Sequence, residues 1–91
     1  MPEIATPTPE FEADCLAVTK DWRTNKLPFN ETIARLSVLV QRATVEGNTV
    51  NQARAEQILA NIQLVRGNLD ECIQHAQRAR ILASKHYLPA R

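Results

Sequence analysis

Cys72 and His75 are the side chains of this chain whose spacing comes nearest to a ligand pair. They form C-x-x-H, with His86 eleven residues beyond His75. Within one continuous helix eleven residues rise about 16 Å, so the two histidines cannot share an ion. Cys72 and His75 alone offer two ligands where structural zinc takes four, and no nearby pair supplies the remainder. We therefore expect no metal and no other cofactor, with Cys72 as a packing residue and His75 on the surface. Cys15, far away in sequence, forms no C-x-x-C pair with Cys72, and both thiols are expected to be reduced and structural.

Other chemistry is equally sparse. No Ser-His-Asp or Cys-His arrangement can be specified. The two glycines, Gly47 and Gly67, both stand at expected helix ends rather than in a phosphate-binding loop. We expect no enzyme. The net charge of +1 creates no general field for nucleic acid or an anionic membrane. Arg78, Arg80, Lys85 and Arg91 make the last segment basic, which suits a helix C-terminus and a solvated face. Up to Asn48 seven acids oppose five bases, and beyond it three oppose six, so the halves carry −2 and +3. No stretch approaches the roughly 18 apolar residues of a membrane span, and no basic segment precedes an apolar run as in a signal peptide. Cytoplasmic residence, with neither a membrane nor a nucleic-acid partner, is the expectation.

The elements that would position these residues are helices. Hydrophobic residues make up 44% of the 91 and aromatics only 4%, a balance of Ala, Leu, Ile and Val that favours closely packed helices over sheets. After a mobile leader over Met1 to Thr8, Thr8-Pro9-Glu10 reads as a helix start, and Phe11, Cys15, Val18 and Trp22 mark one buried stripe to about Asn25. Asn25-Lys26-Leu27 interrupts the pattern. Pro28 opens a second helix with Phe29, Ile33, Leu36, Leu39, Val40 and Ala43 on its inner face, capped at Gly47. Thr49 with Gln52 reads as a capping box for a third helix whose stripe is Ala55, Ile58, Leu59, Ile62 and Val65. Gly67-Asn68-Leu69 ends that helix and starts a fourth, Leu69 to about Lys85. Its small residues Cys72, Ala76, Ala79 and Ala83 share one face and promise a close approach to a neighbour.

The chain also matches itself at an offset of 40 residues. Phe29 falls on Leu69, Glu31 on Glu71, Ile33 on Ile73, Leu36 on Ala76 and Leu39 on Ala79. A period of this size belongs to helical repeat arrays. The expected class is all-α, with a first helical hairpin over residues 9–48, a second over 49–88, and the start of a third unit at 89–91.

At these residues the chain resembles the tetratricopeptide repeat family. Leu59 and Ala60 stand at the repeat's first-helix pair, Gly67-Asn68-Leu69 at its turn, Cys72 at its first Ala, Ala76 at its packing position and Ala79 at its last Ala. Glu56 stands in place of the usual large apolar residue, Gln63 of the usual aromatic, and Ser84 of the terminal Pro. The span of Pro9 to Asn48 fits more loosely, with Leu27-Pro28-Phe29 for the glycine turn and Thr32 for the first Ala.

The resemblance implies a right-handed α-solenoid fragment of tandem hairpins. It also implies a protein-interaction or sensing module of the kind attached to bacterial signalling proteins and transcription regulators, expected here as the N-terminal regulatory part of a longer protein. In that registration the third helix turns Arg54, Gln57, Asn61, Leu64 and Val65 to the concave side, where a protein or peptide partner would lie. The outer face of the second hairpin, with Ile81, Leu82, Tyr87 and Leu88, lacks a covering layer, and a homodimer is expected from it. Two other readings stay open: a dimeric helical protein with a purely structural role, and a bundle that senses a small molecule near Trp22.

Overall fold

The computed structural model describes residues 6–84, which form four helices: α1 (Pro9–Arg23), α2 (Phe29–Glu46), α3 (Thr49–Arg66) and α4 (Leu69–Ser84). No strand occurs among the described residues. The starts of α1 and α3 lie 40 residues apart, as do those of α2 and α4, so the sequence offset recurs in the placement of the helices.

Each boundary has a local cause. Pro9 occupies the first turn of α1, where its missing N–H leaves no bond unmade, and Glu10 and Glu12 face the positive end of the helix dipole. At its other end α1 closes through Asn25, which adopts φ 62° without being glycine; Lys26 and Leu27 donate back to the Asp21 carbonyl at 2.8 and 3.2 Å. The interruption at Asn25 to Leu27 is thus a structured turn, and its Leu27 is buried. Gly47 and Gly67, at φ 71° and 88°, end α2 and α3 in the same way. In each the glycine N–H and the following Asn N–H reach back to the last turn: Gly47 to Thr44 and Asn48 to Ala43, Gly67 to Leu64 and Asn68 to Gln63. The α3 cap is one residue earlier than expected. Asn48, not Thr49, sits at the cap and its Oδ1 accepts from the Asn51 N–H at 3.0 Å.

The core is shared by three helices. Phe11 and Cys15 from α1, Leu36, Leu39 and Ala43 from α2, and Ala55, Ile58, Leu59 and Ile62 from α3 form one cluster, against which Val18, Trp22, Phe29, Ile33 and Val40 pack. These are the expected stripes with one exception: Val65 is 72% exposed and lies outside the core. Helix α3 touches α1, α2 and α4, whereas α4 touches α3 and neither α1 nor α2 among the described residues. In a closed up-and-down four-helix bundle α4 would also pack on α1. Here it packs on α3 and has no buried residue.

The inner face of α4 keeps only two members of the stripe of small residues, Cys72 and Ala79. Cys72, His75, Ala79 and Leu82 are its half-buried positions, while Ala76 and Ala83 are exposed. Ala76 is therefore not a packing residue and His75 is not a surface one. On α3 the buried carboxylate of Glu56 stands 2.6 Å from the inward-turned imidazole.

Candidate interaction surface

Two polar pairs hold α4 to α3. Glu56 Oε1 lies 2.6 Å from His75 Nδ1, with the two side chains only 6% and 13% exposed, and Arg78 Nη1 stands 3.9 Å from the second carboxylate oxygen. At the turn, Asn68 Nδ2 donates to Gln63 Oε1 at 2.7 Å, and Gln63 is buried. Glu56 and Gln63 are both buried on α3, and each meets a polar residue near the start of α4 or within it. No buried side-chain polar atom among the described residues is left without a partner.

Two further polar links tie α3 to α1. Arg54 presents Nε and Nη2 to the two oxygens of Glu12 at 2.8 and 2.9 Å, and its Nη1 donates to Gln57 Oε1 at 3.2 Å. This two-pronged bond holds the Glu12 carboxyl below the usual carboxylate range and raises Arg54 further. Asn51, 2% exposed, accepts from the Thr8 N–H at 3.0 Å and donates from Nδ2 to Thr8 Oγ1 at 3.2 Å. Thr8 holds the cap position of α1, but its side chain makes no capping bond and serves this longer-range link instead.

These contacts sort the expected partner-binding residues. Arg54 already spends its guanidinium on α1. Gln57, Asn61, Leu64 and Val65 form an exposed row along α3, with Leu64 and Val65 53% and 72% open to solvent. Of the residues expected to self-associate, Ile81 stands out at 61% exposure, Leu82 turns half-buried toward α3, and Tyr87 and Leu88 lie outside the described residues. The open face of α4 also carries Leu69 and Ile73, at 59% and 53%.

Neither cysteine is placed for chemistry. Cys15 is fully buried, and burial, reinforced by the Glu12 carboxylate, pushes its thiol up to about 11. Cys72 is half-buried and free. No group of three or more His, Cys, Asp or Glu among the described residues is arranged to hold a metal ion, and the ring nitrogen Nδ1 of His75 is taken by Glu56. Between α1 and α2 an open groove of about 380 Å³ is floored by Ala17, Val18, Val38 and Leu39 and edged by Asp14, Arg35 and Arg42. Arg42 and Asp14 bridge it at 2.9 Å. Trp22 is half-buried against the core and is not among the residues lining that groove. Among the described residues no helix is long and apolar enough to cross a membrane.

Sequence reasoning missed Glu56, Gln63 and Asn51 as buried polar residues. The first two carried a signal, since the expected resemblance would put an inward apolar side chain at each. Asn51 carried none, because its partner Thr8 is 43 residues away. Comparison of the chain with protein-family models, with curated proteins and with solved structures returns no match.

Proposed function

We propose that the chain is a non-catalytic protein-interaction module: a tetratricopeptide-like α-solenoid fragment that serves as the N-terminal regulatory part of a larger bacterial signalling or transcription-regulatory protein. The observation that carries this reading is the solvent face of α3. That helix is packed by three others, yet keeps Gln57 and Asn61 beside Leu64 and Val65 in one exposed row. Amides beside aliphatic side chains suit an extended peptide, whose backbone would bond the amides while its side chains cover the apolar pair. The contacts of α3 with α1, α2 and α4 and the 40-residue recurrence of the helix starts support the solenoid reading.

Panning a displayed random-peptide library on the full chain tests it. Enriched peptides should bind a variant carrying Asn61→Ala and Leu64→Glu about tenfold more weakly or worse. Both positions are exposed, so the variant should keep its fold. No enrichment, or peptides that bind the variant equally well, would overturn the reading.

A further inference from the structure

We propose that the outward face of α4 pairs with the same face of a second copy of this chain, the two helices antiparallel about a two-fold axis, with Asp70 of each opposite Arg80 of the other. The proposal rests on reading the chain as an interaction module and adds one face and one partner to it.

Helix α4 has α3 on one side and no other described helix beside it. Its inner positions, Cys72, His75, Ala79 and Leu82, fix the direction of the opposite face, which carries Leu69, Ile73 and Ile81, each more than half exposed. Three large aliphatic side chains on the exposed side of one helix would be shielded by an apolar surface of similar length. A second α4 supplies one.

The charges select the orientation. Asp70 lies in the first turn and Arg80 near the other end. Both are exposed, and neither has an ion-pair partner among the described residues. Ten residues separate them by about 15 Å along the axis, too far to meet within the helix. The remaining base of this stretch, Arg78, leans toward Glu56 instead. A parallel pair would bring acid to acid and base to base. An antiparallel pair brings each Asp70 to an Arg80 and opposes the two helix dipoles. The register that sets Asp70 against Arg80 also sets Leu69 against Ile81 and Ile73 against Gln77. Because the interface is isologous, every contact occurs twice.

Light scattering over a wide concentration series measures the outcome against the monomer mass of 10.2 kDa. The wild-type chain should dimerise. Asp70→Arg alone and Arg80→Asp alone should each weaken the dimer about tenfold or more, because each sets like charges opposite one another twice. An equimolar mixture of the two variants should recover association. In the mixed dimer one helix carries arginine at both positions and the other aspartate at both, so unlike charges meet at each end. Ile73→Glu should weaken the dimer without altering either charge, and far-UV circular dichroism should show every variant as helical as the wild type. A wild-type chain that stays monomeric throughout, single variants that dimerise like wild type, or a mixture that fails to recover would each overturn the pairing. Peptide selection on the α3 face uses none of these residues, so failure here leaves that test intact, and the reverse holds too.

Discussion

Glu56 on α3 and His75 on α4 meet at 2.6 Å, with side chains only 6% and 13% exposed. The contact makes the seating of α4 depend on a polar bond between two largely buried side chains. Burying a carboxylate is costly unless it is paired, so the two residues are energetically coupled.

His75→Ala should therefore destabilise the protein by about 1–3 kcal/mol, because it leaves Glu56 buried with only the distant Arg78. In a Glu56→Leu background the same change should cost much less, since no carboxylate remains to be stranded. Urea titrations of the four proteins give the coupling directly as a double-mutant cycle. Additive effects of the two changes would mean that the pair does not hold α4.

Stability should fall in acid through the link between α1 and α3. The Arg54 fork lowers the folded-state value of Glu12 below the ordinary 4.5. The unfolded chain thus takes up a proton on Glu12 at higher pH than the folded one. The contribution is complete above the ordinary carboxylate value and disappears as pH falls through the lowered one. Melting temperatures measured down this range should drop for the wild type. Glu12→Gln should start lower at neutral pH and show a smaller acid-dependent drop. Parallel curves for the two proteins would show that Glu12 is not the linked group.

The helix ends separate two kinds of sequence information. Gly67 adopts φ 88°, and a Cβ built there meets nothing within 4 Å, so replacing it strains the backbone alone. Gly67→Val should cost at least about 1 kcal/mol. Ala76→Leu would overpack a buried helix face, yet Ala76 is exposed, and the change should stay within about 0.5 kcal/mol. Thermal melts of both variants check the contrast. A large loss for Ala76→Leu would mean that α4 sits in a different rotation.

That contrast marks how far the sequence was legible. Glycine caps, proline starts and apolar stripes are local signals, and they located all four helices and nearly the whole core. The rotation of α4 was not local. It sets His75 against Glu56, nineteen residues earlier, a contact that counting small residues along α4 could not reveal. Of the row of positions on α3 expected to face a partner, Gln57, Asn61, Leu64 and Val65 are exposed. That the first member, Arg54, is occupied was not legible, because the side chain that occupies it comes from the opening turn of α1.

The two cysteines should report separately on the two ends of the stack. Cys15 lies within the cluster formed by α1, α2 and α3, has no exposed surface, and has its thiol pushed up to about 11 by burial and by Glu12. Cys72 lies half-buried on the α3-facing side of α4, which among the described residues contacts α3 alone. The thiolate is the reactive species, and a reagent must also reach it. Iodoacetamide at mildly alkaline pH should therefore modify Cys72 first, at a rate set by local opening of α4, and reach Cys15 only when the three-helix core opens. Peptide mapping by mass spectrometry over a time course resolves the two sites. His75→Ala should accelerate labelling of Cys72 more than that of Cys15, because it loosens the helix that carries one thiol and leaves the cluster around the other in place. Equal acceleration at both sites would mean that α4 and the core open as one unit.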